Sequence, residues 1–440
     1  MSSQRLRLRA TSPQGGNSSP LGAGFNVVNT MIGSGILALP YALKEAGFYF
    51  GIVVLILVAF LTVFSLNTLV YSGRRVGLYK YETVSAAALG QSGYYLLSFA
   101  LAVNSIGSCI SYLIIVGDIV TSLVQTIFGV NFFTTRQAVI VVAAVGFTLP
   151  LLFFRTLEPL VKPSALSVFC LPVIVLIVAI RGPTYALPEP APTPVFGPSI
   201  LPAFGVIAFA YSCTQTCFQN YQTLQTRTLA AWGKATSYAT ALAAIIYLAF
   251  SIVSYKSFGV GTQPNLLNNF SNDDILANIA RVLLAFTLTL TYPMQFYPVR
   301  DLLAEYLGMP VESLTRSQKP IFHGLTLALF AGTLVTALVV ADLGFVFKLI
   351  GTAASSLLVF GLPGVIYLRL VSPYVWSKCP AIVNESTALL LSDPGHADSD
   401  GDADRIPEPC TSVISGLLLI LGFGVFVIGT WTSIHEFVSS

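Results

Sequence analysis

Residues 25–36 read Phe25-Asn26-Val27-Val28-Asn29-Thr30-Met31-Ile32-Gly33-Ser34-Gly35-Ile36, and Leu39-Pro40-Tyr41 follows about one turn later. The stretch lies inside an apolar run, 22–44, and a helix needs about 20 mostly apolar residues to cross a bilayer. Two glycines around a serine weaken that helix, and Pro40 removes a backbone donor. In hydrocarbon, freed N–H and C=O groups are costly unless something satisfies them, so non-helical backbone at that depth tends to line a cavity. Small residues equally permit close helix packing, as in GxxxG contacts. Taken alone, the stretch leaves both readings open.

Working outward, the chain of 440 residues is 55% hydrophobic and only 9% charged. Soluble domains carry roughly 25% charged residues, so this chain lacks the charge to cover a water-facing surface. Eleven apolar runs qualify as spans: 22–44, 49–72, 94–124, 135–154, 161–181, 199–221, 233–256, 275–298, 321–341, 345–370 and 412–433. With the N-terminus cytosolic and each run crossing once, sixteen of the 22 lysines and arginines fall on the cytosolic side and six on the other. That bias sets the orientation and places the C-terminus on the non-cytosolic side. Span 1 is too long for a signal-peptide core and lacks a small-residue cleavage site, so it reads as a retained helix. Residues 1–21 are Ser/Gly/Pro/Arg-rich and read as disordered. The Pro-rich stretch 182–198 reads as an extended connector, and 371–411 as a cytosolic loop with an acidic run from Asp393 to Asp404. A net charge of +3 with scattered basic residues points to no nucleic-acid partner.

Span 6 carries the second signal. Its centre reads Phe209-Ala210-Tyr211-Ser212-Cys213-Thr214-Gln215-Thr216-Cys217-Phe218-Gln219-Asn220. So polar a run is expensive in mid-membrane unless it meets water, ligand or partner side chains, or forms a hydrogen-bonded seam between helices. If the chain is two repeats of five spans, 22–181 and 199–370, then spans 1 and 6 stand at matching places in halves of opposite orientation. Interrupted helices at matching positions point to a transporter site. Half-helix N-termini suit a carboxylate, and the opposite ends offer carbonyls to a cation or an ammonium group. A zwitterionic amino acid, placed near Tyr211 and Thr214 on one side and Ser34 on the other, fits that arrangement without buried protein charge.

Other polar positions are less specific. Thr287 and Thr291 share a face of span 8 and Thr289 lies on another. Their hydroxyls suit either a sodium shell beside Pro293 or bonding back to their own helix, and spacing favours the latter. Asp118 suits a proton-coupling carboxylate or an ion pair with a basic neighbour. Lys348 is expected to snorkel to the interface. Arg155, Glu158 and Lys162 read as a solvated loop cluster. Cys213 and Cys217, one turn apart, make a poor metal site, and the three histidines have no companions. Asn269-Phe270-Ser271 and Asn384-Glu385-Ser386 match the glycosylation tripeptide, the first on the non-cytosolic side.

The segment from Phe25 to Ile36, continuing through Leu39-Pro40-Tyr41 to Ala46-Gly47, resembles the amino acid/auxin permease superfamily. Within it, the resemblance is to the sodium-coupled neutral amino acid transporters and the related vacuolar amino acid transporters. Gly117-Asp118, Thr148-Leu149-Pro150-Leu151, Thr291-Tyr292-Pro293 with Pro298, and Gly351 with Pro363 agree. The likeness runs from about Phe25 to Leu370 and more loosely through the last span. It implies an all-α, LeuT-like fold of five-plus-five inverted repeats, with an eleventh transmembrane helix added. It also implies that Asn29 and Ile32 offer carbonyls to sodium with Thr289 and Thr291 nearby, and that Thr30, Met31, Gly33, Ser34 and Gly35 surround the substrate backbone. Relatives often carry histidines in the middle of span 6, where this chain has Thr214-Gln215, which argues against histidine-based proton sensing there.

The expectation is therefore a secondary transporter of neutral amino acids, coupled to sodium or protons. It is expected to be monomeric in a plasma or vacuolar/lysosomal membrane, with no bound cofactor. The alternative is an amino acid sensor of the same fold that signals through a cytosolic partner. An enzyme would need a nucleophile with a base, or a metal cluster, at membrane depth, and the sequence offers neither.

Overall fold

The computed structural model describes residue 16 and residues 18–129, 131, 134–154, 161–186, 192–309, 315–340, 342–371 and 408–439. The acidic loop, Asn384, Arg155 and Glu158 lie outside these residues, as does the side chain of Lys162. The described chain is helical apart from its connections.

α1 (Pro20–Met31) starts at Ser19, whose hydroxyl accepts from Gly22 N–H at 3.2 Å, with Pro20 in the first helical position. α1 thus begins inside the stretch expected to be disordered. Ahead of it, Gly16 and Ser18 N–H donate to the carbonyls of Leu224 and Thr223. α2 (Gly35–Ala46) continues span 1 at an angle of 64°. It ends at Gly47, whose φ of +93° suits glycine alone and turns the chain into α3 (Phe48–Arg75). The 195–199 segment comes back onto this corner, with Gly197 and Ser199 N–H donating to Ala46 and Glu45.

A short helix that the span count did not foresee, α4 (Tyr81–Leu89), leads into α5 (Gln91–Phe128). α6 (Arg136–Ala143) passes through a π turn, Ala144–Thr148, into α7 (Leu149–Leu152). Then come α8 (Val161–Arg181), α9 (Ile200–Ala210), α10 (Cys217–Gln222), α11 (Leu229–Phe258), α12 (Ile275–Tyr306) and α13 (Gln318–Val339). α14 (Leu343–Ile350) continues through π turns at Gly351–Ser355 and Leu357–Gly361 into α15 (Leu362–Leu370). α16 (Glu408–Gly424) and α17 (Thr430–Ser439) are joined by another π turn.

Among the described residues, eight helices are long and apolar enough to cross a membrane, or nine with the bent pair α1–α2. Spans 4 and 5 appear as shorter apolar helices, Arg136–Leu152 and Phe169–Tyr185. Large apolar side chains such as Phe60, Phe147, Val339 and Ile420 stand more than two-thirds exposed on the outside of the bundle. Exposure of this kind all around a helical bundle is tolerated by lipid and not by water. This is a multi-pass membrane protein.

Inside, α2 packs on α9, α1 and α3 on α11, and α12 on α5 and α8. Gly205 and Gly351 bring α9 and span 10 into backbone contact: a Cβ on Gly351 would lie 2.1 Å from the Gly205 carbonyl oxygen. Asp118 is ion-paired to Arg136 at 2.7 Å.

The expectation for Lys348 is corrected. It does not snorkel. Its ammonium lies 2.6 Å from Glu45 and 3.0 Å from Glu436, and the residue is 8% exposed. The lysine joins α14 to the end of α2 and to α17, and Ser199 donates to the other Glu436 oxygen at 2.6 Å. Two carboxylates give the ammonium partners inside the bundle, so it has no need to reach headgroups.

Asp274 caps α12, accepting from Leu276 and Ala277 N–H, and takes 2.8 and 2.9 Å bonds from Arg181 and Tyr185. Burial works against its charge, but these donors outweigh it and hold its pKa below the usual carboxylate range. A depressed carboxylate stabilises the fold above its unfolded pKa of about 4 and loses that contribution as pH falls through its folded value. Asp274→Ala is therefore expected to lower stability by about 1–2 kcal/mol near neutrality. The gap to wild type should narrow in acid, as thermal unfolding at several pH values will show.

Asn269 is tied down at both ends, its amide donating to Gly261 at 2.8 Å and its oxygen accepting from Gln263 N–H at 2.9 Å.

Candidate functional site

Spans 1 and 6 are both interrupted, and the hydrogen bonds show how. After Met31 the helix ladder slips: Gly33 N–H donates to Met31 instead of Asn29, and Ile36 N–H to Gly33 instead of Ile32. The carbonyls of Asn29 and Ile32, which the resemblance assigns to sodium, thereby lose their helical donors. On the far side of the break, the N–H groups of Ser34 and Gly35 find no backbone acceptor among the described residues. They open α2, where the helix dipole is positive.

In span 6, α9 stops at Ala210. Ser212 N–H turns back to Phe209, a 3-10 turn covers Thr214–Thr216, and α10 resumes at Cys217. The polar run contains no glycine or proline; within it the Thr216 hydroxyl donates to the Cys213 carbonyl at 3.1 Å, as a side chain that competes with the ladder does.

The two interruptions meet. A Cβ on Gly35 would lie 2.8 Å from Ala210 Cα, so only glycine lets the start of α2 touch the end of α9. A Cβ on Gly33 meets nothing within 4 Å. Around this junction Ser34, Tyr211 and Thr214 are buried, at 3%, 0% and 0% exposure, and none of their hydroxyls has a hydrogen-bond partner. Each interruption thus carries buried hydroxyls that are free to meet a polar partner. Residues 29–35 and 209–216 include no charged side chain.

The other expected residues fall as follows. Met31 is buried, its carbonyl engaged by Gly33 N–H and the Tyr247 hydroxyl. Thr30 donates back to Asn26 at 3.0 Å, and the Asn29 side chain is exposed, which leaves its carbonyl as the group near the break. Thr289 donates to Ala285 at 2.8 Å, and Thr291 to Thr287 at 2.9 Å. Both bond back to α12, the alternative that spacing favoured. A hydroxyl that spends its proton this way keeps its lone pairs, so the bond does not remove it as an oxygen donor.

Sequence reasoning missed Tyr112, Tyr247 and Asn104. Tyr112 on α5 is buried, with Ser34, Gln295 and Thr291 as polar neighbours of its phenol. Asn104 accepts from Ser355 at 3.1 Å between α5 and span 10. A tyrosine or asparagine within a long apolar helix gives no sign of which neighbour it faces.

A family profile described as transmembrane amino acid transporter protein matches residues 16–386. A mouse protein named as a candidate sodium-coupled neutral amino acid transporter 11 is 35% identical over 380 residues, spanning 84% of this chain and 82% of its own. Vacuolar amino acid transporter 2 of Saccharomyces cerevisiae is 27% identical over 363 residues, spanning 79% of this chain and 76% of its own. Among solved structures, a sodium-coupled sialic acid symporter in a substrate-bound, outward-open state aligns with a TM-score of 0.50 at 13% identity. That match covers 95% of this chain and 90% of the symporter, and bears on the fold alone. The profile spans both interrupted helices and the relatives cover most of the chain, so this protein belongs to the transmembrane amino acid transporter family.

Proposed function

We propose that the protein is a secondary transporter of neutral amino acids, coupled to sodium or protons, working by alternating access at the junction of spans 1 and 6. One observation carries the reading: two interruptions in contact, with unbonded N–H groups at the start of α2, released carbonyls at Asn29 and Ile32, and no fixed charge. The N–H groups of Ser34 and Gly35 receive the substrate carboxylate, and the hydroxyls of Ser34, Tyr211 and Thr214 complete its polar shell. Thr30, Met31 and Gly33 shape the walls. Asn29 and Ile32 carbonyls, with Thr289 and Thr291, hold the coupling cation. An uncharged site leaves the substrate as its own counter-ion, which favours side chains without net charge.

In this reading residues 22–181 and 199–370 are the inverted repeats, 182–198 connects them, and 412–433 is the eleventh span. Residues 1–21 and 371–411 face the cytosol, in a plasma or vacuolar/lysosomal membrane. No observation favours the sensor alternative.

Purified protein in liposomes tests the reading. Uptake of neutral amino acids should saturate and should depend on a sodium or proton gradient. The same amino acids should raise the unfolding temperature, more in sodium than in choline if sodium is the ion. Absence of saturable uptake by folded protein, with every neutral amino acid and either gradient, rules the reading out.

A further inference from the structure

Tyr247 lies on α11 with 0% exposure. Its hydroxyl oxygen stands 2.7 Å from the Met31 carbonyl oxygen and 2.8 Å from that of Ala210. These are the last residues of α1 and α9, the two half-helices that stop at the interruptions. Each carbonyl sits at the negative end of a helix, where the ladder no longer supplies its usual donor. The Tyr247 ring also meets the Tyr211 ring edge-on, with centroids 5.0 Å apart and planes at 72°. One side chain from a continuous helix thus touches both broken ends and a residue of the site.

A phenol has one proton. That proton is shared between the two carbonyls, which both lie within hydrogen-bond distance of the one oxygen, and the Met31 carbonyl also accepts from Gly33 N–H. A tyrosine that merely filled space would need a single acceptor, and nothing would require that acceptor to be a half-helix end.

We propose that Tyr247 is a positioning residue that ties the two interruptions together and sets the spacing at which they bind substrate. The inference rests on the transport reading above. It assigns to α11 a part in binding, although α11 itself carries none of the groups placed around the substrate.

Tyr247→Phe keeps the ring and removes the tie. The half-saturation constant for the transported amino acid should rise about tenfold, as expected when a buried carbonyl loses its donor. Hydrogen exchange across 30–36 and across 209–216 should accelerate together, with the remaining helices unchanged. Thr240→Val removes another buried hydroxyl of α11, one that has no partner, and should leave the constant at its wild-type value. Should Tyr247→Phe fail to fold, a fluorinated tyrosine at 247 keeps the shape and acidifies the hydroxyl. It should then shift the constant at unchanged unfolding temperature.

A lower unfolding temperature with an unchanged constant would mean that Tyr247 only packs, and would overturn the inference while transport stands. Faster exchange confined to one interruption, or an unshifted constant in the fluorinated protein, overturns it as well. Wild-type protein that takes up no amino acid removes the transport reading, and this inference with it.

Discussion

Gly33→Trp is expected to abolish uptake while leaving the protein folded. A side chain at 33 starts into open space, with nothing within 4 Å of its Cβ, and the backbone there is not in the left-handed region reserved for glycine. Its first atom therefore meets no neighbour, and in the transport reading proposed above an indole there enters the place where the released N–H and C=O groups would face the substrate. Each 1.4 kcal/mol of lost binding is a tenfold loss, so a filled site should reduce uptake by about two orders of magnitude or more. The neighbouring glycine supplies the contrast. At Gly35 a Cβ would lie 2.8 Å from Ala210 Cα, and backbone cannot yield as a flexible side chain does. Gly35→Val should therefore lower the unfolding temperature before any question of transport arises. Uptake by Gly33→Trp within a few-fold of wild type would mean that the open space is not the substrate site.

Lys348→Met should destabilise the protein by about 3–5 kcal/mol, the usual cost of leaving a buried ion pair with one partner missing. The substitution preserves volume and apolar contacts, so the loss reports charge. Glu45 would remain beside Glu436 with no cation between them, on side chains 11% and 38% exposed. The difference in exposure orders the companion variants. Glu45→Gln should cost clearly more than Glu436→Gln, because water screens the second carboxylate and not the first. Thermal unfolding of the three variants decides the matter, and a loss below about 1 kcal/mol for Lys348→Met would show a solvated pair.

How far the sequence reveals this molecule depends on whether a feature is local. The break in span 1 is written in three adjacent residues, Gly33-Ser34-Gly35, and the structure bends there. The break in span 6 is legible from polarity, since Tyr211 through Thr216 cannot all be satisfied by one α-helix in hydrocarbon. Lys348 was misread because its partners are distant: Glu45 is 303 positions away and Glu436 is 88. From the sequence it is a lone lysine near a span end, for which snorkelling is the ordinary expectation. Tyr247 was invisible for the same reason, since both its acceptors are backbone atoms, which no composition records. α4 escaped because nine residues are too few to register as a span. The threonines of α12 show the reverse case: Thr287, Thr289 and Thr291 all donate to carbonyls of their own helix, as spacing alone suggested.

The meeting of Gly205 and Gly351 limits how the bundle could move in the proposed transport cycle. Backbones this close interlock, with carbonyls of one helix lying in the grooves of the other, and sliding one past the other would have to lift them apart first. α9 and the start of span 10 are thus expected to move as one piece, and Lys348 gives that piece a charged handle on the end of α2. The flexure that remains for span 6 lies at Tyr211–Thr216, where the helical ladder has already let go. If the protein works by alternating access, the bending point and the place where substrate would sit are then the same few residues, and an occupant there would stiffen that joint.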